Sequence, residues 1–239
     1  CDRNFIGCDQ LIFIEKDKTS DAHLKFFNSD GGESGACGNG TRCVADLISK
    51  EKNNKTIILN TLSGNLKSKI LGNNLVTTEI GSAKTKWNEI PLSDETNTKK
   101  LNIKINDLKN NVHLGGTAVN VGNPHVIFFV DSVDDFDILK IGPQIENHKM
   151  FPQKCNVTIA KVINKNLIKV RVWERGAGLT KACGTAACAT AFAGKLNNLT
   201  ENNVDIEFET GKLSILIDEK NSIHMKGPVS NIKKILIKL

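Results

Sequence analysis

Two cysteines in this sequence each stand between an alanine and a glycine, where a turn leads into a helix-like segment. They are Cys37, in Ala36-Cys37-Gly38, and Cys183, in Ala182-Cys183-Gly184. The first turn of a helix has backbone N–H groups without an intrahelical partner, and the helix dipole is positive at that end. Both features stabilise a thiolate and can also hold an anion. The pattern therefore predicts two reactive thiols, one in each half of the chain.

Two thiols of this kind suit one reaction class especially well, the inversion of a carbon acid. One thiolate removes a proton from one face of the carbon, and the other thiol delivers a proton to the opposite face. The reverse reaction exchanges the two roles, so the groups should be alike, with pKa values tuned from the free-thiol value of about 8.5. N–H donors at the two helix starts would stabilise the negative charge that builds on the substrate carboxylate.

The other cysteines are interpreted as packing residues. A helix turns by about 100° per residue, so Cys43 and Cys188 point away from the leading cysteines Cys37 and Cys183. Cys-x2-Cys pairs, which are typical of zinc sites, do not occur around the leading cysteines, and no metal is expected. The total of seven cysteines is odd, which favours reduced thiols over a disulfide framework.

The elements that must position the thiols follow from hydrophobic periodicity. Helices are predicted from Gly38 to about Lys50, from Asp134 to Ile141, where Gly142-Pro143 ends it, and from Gly184 to about Leu196. The last of these is almost all alanine, and so many small residues indicate a helix wrapped closely by sheet. Strands are predicted at 10–15, 24–28, 56–61, 66–71, 75–80, 101–105, 112–121, 126–130, 156–163, 167–173, 204–209, 213–217, 222–226 and 232–239.

Both halves of the chain thus show strands, a helix that begins at a cysteine, and further strands. We interpret this as a duplicated α+β unit. The predicted domains are residues 1–111 and residues 112–228.

Composition and charge exclude several classes of protein. Of the 239 residues, 39% are hydrophobic and 24% charged, as in ordinary globular proteins. No stretch has the roughly 20 apolar residues of a membrane helix, no signal peptide opens the chain, and a cytoplasmic protein is expected. The net charge of +6 is spread over dispersed lysines, with two Trp and no Tyr for stacking, so neither nucleic acid nor a membrane is an expected partner.

Four segments taken together resemble the diaminopimelate epimerase family. They are Asn28-Ser29-Asp30-Gly31 with Ala36-Cys37-Gly38-Asn39-Gly40-Thr41-Arg42-Cys43, then Gly122-Asn123-Pro124-His125, Glu174-Arg175-Gly176-Ala177-Gly178, and Ala182-Cys183-Gly184-Thr185. The match spans nearly the whole chain. It implies a cofactor-independent isomerase that interconverts LL- and meso-2,6-diaminopimelate, in lysine and peptidoglycan precursor synthesis. It also implies two similar α+β domains, each a central helix in a mostly antiparallel sheet, with the active site in the cleft between them. By the family pattern, residues 229–239 return to the first domain.

The resemblance also implies roles for individual residues. Cys37 and Cys183 are the acid and base. Gly38, Asn39, Gly184 and Thr185 lie at the helix starts that bind the reacting carboxylate. The substrate pocket is lined by Gln10, Asn28, Asn123, Asn156, Glu174 and Arg175, and Arg175 is suited to bidentate capture of the distal carboxylate. His125 and Glu174 tune or orient the thiols and the substrate amine. No cofactor is implied, and a homodimer is included among the expected assemblies.

One family feature has no counterpart in the chain. The family begins with a strand and a Gly-Leu-Gly-Asn-Asp-Phe segment whose Asn contacts the substrate, whereas this sequence begins at Cys1. We therefore expect that the chain is a fragment lacking its N-terminus. The complete protein is expected to be a working epimerase, and the chain alone to bind substrate poorly or to be inactive.

Two alternatives remain open from the sequence. A proline or hydroxyproline racemase has the same fold and also uses two cysteines, although the pocket asparagines and Arg175 fit a substrate with a second amino-acid end. A non-enzymatic, lysine-rich binding module is the alternative from a different class of protein, and salt-sensitive retention on nucleic acid would favour it.

Overall fold

The computed structural model describes residues 7–8, 10–28, 31–34, 37–62, 64–230 and 232–236, apart from the side chains of Asn28 and Ser34. Contacts divide the chain into two compact units. Unit 1 comprises Cys1–Ile80 and Lys226–Leu239, and unit 2 comprises Gly81–Met225. The predicted N-terminal segment at residues 1–6 lies outside the described residues.

Between Cys1 and Ile80, the described residues of unit 1 form one helix and a mixed sheet of six strands. Its elements are β1 (Gln10–Glu15), β2 (Ala22–Asn28), β3 (Glu33–Ser34), α1 (Gly38–Lys52), β4 (Thr56–Thr61), β5 (Gly64–Gly72) and β6 (Leu75–Ser82). The order in the sheet is β1-β2-β4-β5-β6, with β3 paired to β2. Five strand pairs form this sheet: β1–β2, β2–β3, β2–β4, β4–β5 and β5–β6. Only the pair β2–β4 is parallel, and α1 lies between these two strands in the sequence. The strands predicted at 56–61, 66–71 and 75–80 are confirmed, and they form an antiparallel meander.

Alternation of apolar and polar residues gives the sheet of unit 1 one buried face. On β2, Ala22, Leu24 and Phe26 are buried, and they pack with Ile57 and Leu59 of β4. The apolar stripe of α1, residues Val44, Ala45 and Ile48, covers this face. The start of α1 is therefore set by packing along the whole helix.

Unit 2 contains two helices and a larger mixed sheet. Its elements are β7 (Ile103–Asn106), β8 (Val112–Gly115), β9 (Thr117–Asn120), β10 (Pro124–Phe129), a 3₁₀ turn (Val133–Asp135), α2 (Ile138–Glu146), β11 (Asn156–Asn164), β12 (Leu167–Glu174), β13 (Gly178–Thr180), α3 (Gly184–Leu196), β14 (Asn203–Phe208), β15 (Gly211–Ile217) and β16 (Ser222–Pro228), which runs past the boundary of the unit. The sheet order is β9-β10-β11-β12-β14-β15, β13 pairs with β12, and β7 and β8 form a separate hairpin.

The same arrangement of elements occurs in both units. In unit 1, β1, β2, β3, α1, β4 and β5 follow one another, and in unit 2 the corresponding series is β11, β12, β13, α3, β14 and β15. The first three strands of each series pair antiparallel, the helix connects two parallel strands, and the next pair is antiparallel again. The α+β class and the two similar units predicted from the sequence are confirmed.

The alanine-rich helix α3 is enclosed by strands, as predicted. It lies against β9, β10, β11, β14 and β15. Its buried residues are all small, namely Ala186, Ala187, Cys188, Ala189, Thr190, Ala191, Ala193 and Gly194. Small side chains let strands approach the helix axis closely, because a larger residue would need space that the surrounding sheet occupies.

Helix α2 extends beyond the predicted end. Gly142-Pro143 was expected to end it at Ile141, but the helix continues to Glu146. Gly142 is buried because the Trp173 ring lies against it at the position of a Cβ. Pro143 leaves the carbonyl of Leu139 without its helical donor, and Leu139 is an exposed residue. The prediction of a helix end here was wrong.

The boundary between compact units also differs from the predicted domain boundary at residues 111/112. Ile90, Leu92, Leu101, Ile103 and Ile105 pack with the core of unit 2. The polar character of residues 81–100 had hidden Ile90 and Leu92, and the predicted strand at 101–105 had been assigned to the first domain. The assignment of domains at 1–111 and 112–228 remains a prediction.

Two strand predictions need correction. The strand expected at residues 112–121 is divided into β8 and β9 by Gly115 and Gly116, which have φ values of 155° and 108°. Residues 232–236, expected as part of a final strand, have no strand assignment, and Ile235 and Leu236 are exposed. Residues 237–239 of that prediction lie outside the described residues.

Replacement of Gly194 by alanine should destabilise the protein. A Cβ at Gly194 would lie 2.7 Å from Thr200 Oγ1 and 3.3 Å from Ile168 Cδ1. Overpacking of this kind costs about 1–3 kcal/mol, against a gain of about 1 kcal/mol in helix propensity. We expect Gly194→Ala to lower the free energy of unfolding, measured by urea denaturation, by up to about 2 kcal/mol.

A double-mutant cycle provides the control. Thr200→Ala removes the two Thr200 atoms that crowd this position, and its hydroxyl has no partner among the described residues. Gly194→Ala should therefore cost less in the Thr200→Ala background than in the wild type. Equal costs in both backgrounds would contradict the close approach of α3 to Thr200.

Candidate functional site

Cys37 is the N-cap residue of α1. Its backbone is extended, with φ −135° and ψ 111°, and its Sγ accepts the backbone N–H of Gly40 at 3.4 Å. The helical geometry directs the N–H groups of Gly38 and Asn39 out of the same end of the helix. An N–H donated to sulfur is a contact that suits a thiolate, and the predicted position of Cys37 at a helix start is confirmed.

Close packing requires a glycine next to this thiol. A Cβ on Gly40 would lie 2.5 Å from Ile12 Cδ1 and 3.5 Å from Cys37 Sγ.

Asn39 accepts a hydrogen bond from Arg42 Nη2 through its Oδ1 at 2.8 Å, and Arg42 is buried. The side-chain oxygen of Asn39 is therefore bound within the helix, while its backbone N–H remains the group expected to meet a carboxylate.

Gln10 and Asn28, two predicted pocket residues, lie opposite each other in the register of β1 and β2. Gln10 opens β1 and Asn28 closes β2, so both residues lie at the same end of the hairpin. In sequence they are separated by a strand and a turn, and only the antiparallel pairing brings them together. Their contact with substrate stays a prediction.

Cys183 is the N-cap residue of α3, in nearly the same conformation as Cys37, with φ −139° and ψ 117°. Its Sγ lies 3.4 Å from Thr185 Oγ1, and the residue is 5% exposed. Burial raises the pKa of the Cys183 thiol well above its ordinary value, and the negative charge of Glu174 raises it further. Hydrogen bonds from Thr185 and from the N–H of Ala186 oppose these effects. Cys183 in this setting is a thiol that can donate a proton.

Glu174 and Arg175 are presented by a tight turn between β12 and β13. The N–H of Ala177 donates to the carbonyl of Glu174 at 3.1 Å, and Gly176 has φ +75°, a left-handed conformation that glycine adopts without strain. Arg175 is exposed, and its Nη1 donates to the carbonyl of Gln153 at 2.9 Å. The guanidinium has five N–H donors in all, so further donors remain for a carboxylate.

Asn123, His125 and Asn156 form a polar cluster close to this turn. His125 and Asn156 are paired in the register of the parallel strands β10 and β11. Asn156 donates through Nδ2 to the carbonyl of Pro124 at 2.9 Å and accepts the N–H of Arg175 through Oδ1 at 3.0 Å. Asn156 thus links β10 to the turn, and its predicted contact with substrate stays a prediction.

His125 is fully buried, and its Nε2 lies 2.8 Å from Asn123 Oδ1. Burial, and to a smaller extent the positive charge of Arg175, lower the pKa of His125 to about 3. The imidazole is therefore neutral at physiological pH. Its Nδ1 is buried and has no partner among the residues that the structure describes. The expected tuning of the thiols by His125 stays a prediction.

One residue that the sequence analysis did not single out also contacts the turn. Glu146, the last residue of α2, accepts the N–H of Gly176 at 3.0 Å. The signal available in the sequence was the spacing of Ile138, Ile141 and Ile145, which are all buried and continue the helix past Pro143.

Within the described ranges, no group of three or more His, Cys, Asp or Glu residues is arranged to hold a metal ion. In the same part of the chain, none of the helices has the length and apolar character needed to cross a membrane.

The sequence matches a model of the diaminopimelate epimerase family over residues 1–86 and 117–232. It is 69% identical over 239 residues to the diaminopimelate epimerase of Pelagibacter ubique (strain HTCC1062), covering 100% of this chain and 87% of that protein. It is 42% identical over 230 residues to the diaminopimelate epimerase of Caulobacter sp. (strain K31), covering 94% of this chain and 79% of that protein.

Solved structures with the same fold are more distant in sequence. A phenazine biosynthesis protein of Bacillus anthracis superimposes with a TM-score of 0.65 at 16% identity, over 93% of this chain and 82% of that one. A hydroxyproline epimerase of Agrobacterium vitis, with bound trans-4-hydroxy-L-proline, gives a TM-score of 0.65 at 11% identity, over 92% of this chain and 71% of that one. At these identities the likeness establishes the fold alone.

Neutralising Glu174 should lower the pKa of Cys183. The Glu174 charge and its hydrogen bond both favour the protonated thiol, so Glu174→Gln should shift the pH midpoint of Cys183 alkylation by iodoacetamide to lower pH. Mass spectrometry of the Cys183 peptide over a pH series measures this midpoint. Glu201→Gln, at an exposed position, is the matched control and should leave it unchanged. An unshifted midpoint in Glu174→Gln, with the buried Cys188 still protected, would contradict this electrostatic coupling.

Buried, neutral His125 should make stability depend on pH. Because its folded pKa of about 3 is below the unfolded value of 6.5, only the unfolded state binds the proton between these values. The contribution of neutral His125 to the free energy of unfolding is therefore fully present above pH 6.5 and is lost as the pH falls towards 3. Between pH 7 and pH 5, the wild type should lose about 2 kcal/mol more unfolding free energy than His125→Gln. Urea denaturation at both pH values measures the difference, and parallel losses in the two proteins would contradict it.

Proposed function

Because the chain belongs to the diaminopimelate epimerase family, we propose that it interconverts LL- and meso-2,6-diaminopimelate through Cys37 and Cys183. The observation that carries the two-thiol mechanism is the match between the two helix starts. Each thiol is an N-cap residue with extended backbone, and each stands at the same point of the repeated arrangement of strands and helix.

The proposed reaction inverts one α-carbon by transferring two protons. One cysteine, as thiolate, takes the α-proton, and the electron pair of the broken C–H bond is delocalised into the carboxylate. The other cysteine, as thiol, donates its proton to the opposite face and becomes a thiolate. The product leaves with its configuration inverted and the two sulfurs with their protonation exchanged, and the reverse reaction uses the same groups in the opposite roles.

The first turns of α1 and α3 are proposed to bind the reacting carboxylate. Gly38 and Asn39 in unit 1, and Gly184 and Thr185 in unit 2, carry the N–H groups that helical geometry leaves without intrahelical acceptors. Negative charge that builds on the carboxylate as the α-proton leaves is stabilised by these donors. The gain in the transition state is therefore larger than in the ground state, as catalysis requires.

Arg175 and Glu174 are proposed to hold the rest of the amino acid. Diaminopimelate has a second carboxylate far from the reacting carbon, and the exposed guanidinium of Arg175 can bind it through two parallel N–H bonds. The carboxylate of Glu174 is suited to an ammonium group of the substrate. Gln10, Asn28, Asn123 and Asn156 are proposed to supply further polar contacts, and His125 to orient them. The cytoplasmic location and the homodimer expected from the sequence remain predictions.

Removal of either thiol should abolish epimerisation. We expect Cys37→Ala and Cys183→Ala in the full-length protein each to lower kcat for LL-diaminopimelate by at least about 100-fold, because each variant lacks one of the two proton-transfer groups. The measurement is the appearance of meso-diaminopimelate in D₂O, with deuterium at the inverted α-carbon detected by NMR. Cys43→Ala and Cys188→Ala, in the same two helices, are the matched controls and should retain activity.

Two results would overturn the proposal. Full activity of Cys37→Ala or Cys183→Ala would exclude the two-thiol mechanism. Racemisation of proline by the wild-type protein, without turnover of LL-diaminopimelate, would assign it to the racemases of the same fold.

A further inference from the structure

Glu146 is a buried carboxylate that the proposed reaction does not use. It is the last residue of α2 and is 6% exposed. A buried carboxylate is costly unless its oxygens accept hydrogen bonds. Its two oxygens accept hydrogen bonds from Trp173, just before the turn that carries Glu174 and Arg175, and from Gly176 within that turn.

The two carboxylate oxygens of Glu146 accept from different donors. Oε2 accepts from the indole Nε1 of Trp173 at 2.7 Å, and Oε1 accepts the backbone N–H of Gly176 at 3.0 Å. Trp173 also lies against Gly142, one helical turn before Glu146, at the place where any other residue would have its Cβ. The helix therefore approaches β12 closely enough for Glu146 to reach the turn beyond it.

Two consecutive N–H groups of the turn are held by buried side chains. The N–H of Arg175 donates to Asn156 Oδ1 at 3.0 Å, and the next N–H, of Gly176, donates to Glu146. Asn156 is 2% exposed, whereas Arg175 and Gly176 are exposed. The exposed turn is thus tied to the protein interior through the N–H groups of both of its central residues.

We propose that Glu146 is a positioning residue, which holds the turn at residues 174–177 so that Glu174 acts on the Cys183 thiol and Arg175 faces the substrate. The part that concerns Arg175 and catalysis rests on the proposed function. The part that concerns Glu174 and Cys183 rests on the contacts that hold the turn within unit 2 and on the effect of Glu174 on the Cys183 thiol. A carboxylate suits this role because it has an acceptor oxygen for each of the two donors, whereas an amide has only one.

A cycle of variants tests whether Glu146 acts through Glu174. The readout is the pH midpoint of Cys183 alkylation by iodoacetamide, measured on the wild type, Glu146→Gln, Glu174→Gln and the double variant. Glu146→Gln loses at least one of the two hydrogen bonds and should shift the midpoint in the same direction as Glu174→Gln. The double variant should have the midpoint of Glu174→Gln alone, because Glu146 has no effect once Glu174 is neutral. Retained protection of the buried Cys188 shows that the shifts do not arise from unfolding.

Trp173→Phe separates positioning from packing. This variant and Glu146→Leu both break the bond between Trp173 and Glu146, but only Glu146→Leu also breaks the bond to Gly176. We expect Trp173→Phe to keep the Cys183 midpoint near that of the wild type, and Glu146→Leu to shift it. A purely structural role for Glu146 predicts the same behaviour in both variants.

Activity of the full-length protein provides the second readout. Misplacement of a substrate-binding group by about 1 Å can cost about 100-fold in rate, so we expect Glu146→Gln to lower kcat/KM for LL-diaminopimelate by at least about tenfold. Trp173→Phe should stay close to the wild type, because it keeps the bond from the Gly176 N–H to Glu146.

The outcomes distinguish the two proposals. An unshifted Cys183 midpoint in folded Glu146→Gln, additive shifts in the double variant, or an equal shift in Trp173→Phe would overturn the positioning role. A shifted midpoint with full activity would overturn its catalytic part. Absence of turnover by the wild type would overturn the proposed function, and the alkylation cycle would still decide whether Glu146 positions Glu174.

Discussion

Each central helix of this protein begins on a cysteine, and sulfur is a weaker N-cap than the oxygen of Ser, Thr, Asp or Asn. Loss of an oxygen cap costs about 1 kcal/mol. The cap of α1 is a sulfur, Cys37 Sγ, which lies 3.4 Å from the backbone nitrogen of Gly40. The helix starts must therefore be held by packing. In α3 this is achieved by enclosure of a small-residue helix by five strands, and in α1 by an apolar stripe on β2 and β4. Because the sheets fix the helices, the N-cap positions are free to carry cysteines.

The environment of Cys183 favours the protonated thiol over the thiolate. Burial and Glu174 both raise its pKa, while Thr185 and the helix N–H of Ala186 lower it. Under the proposed function, an ammonium group beside Glu174 would oppose the effect of the carboxylate and ease loss of the Cys183 proton. The acid–base state of the thiol would then respond to the substrate, and the position of Glu174 becomes as important as its charge.

The sequence was sufficient to predict those parts of the fold that local pattern determines. The two cysteine-initiated helices, the meander and the repeated α+β arrangement follow from periodicity and turn residues, and the structure confirms them. The course of α2 past Gly142-Pro143 depends on Trp173, which is distant in sequence and packs on the glycine. Likewise, Ile90 and Leu92 lie in a polar stretch, and their burial depends on a core formed by later strands. Patterns within a short stretch of sequence do not show contacts with residues that are distant in sequence and come together only in the folded protein.

The same limit explains why Glu174 and Arg175 could be proposed as site residues from the sequence but Glu146 could not. The first two belong to a motif that resembles a known family, whereas Glu146 is meaningful only through its bonds to Trp173 and Gly176. Stability alone is a weak reason for its charge, because well-packed apolar residues often replace buried ionic groups without loss. One donor to Glu146, the Gly176 N–H, lies in an exposed turn where water could serve as acceptor. Water could accept the Gly176 N–H in place of Glu146, so this hydrogen bond adds little stability. Its main effect is to fix the conformation of the turn, and thereby the positions of Glu174 and Arg175.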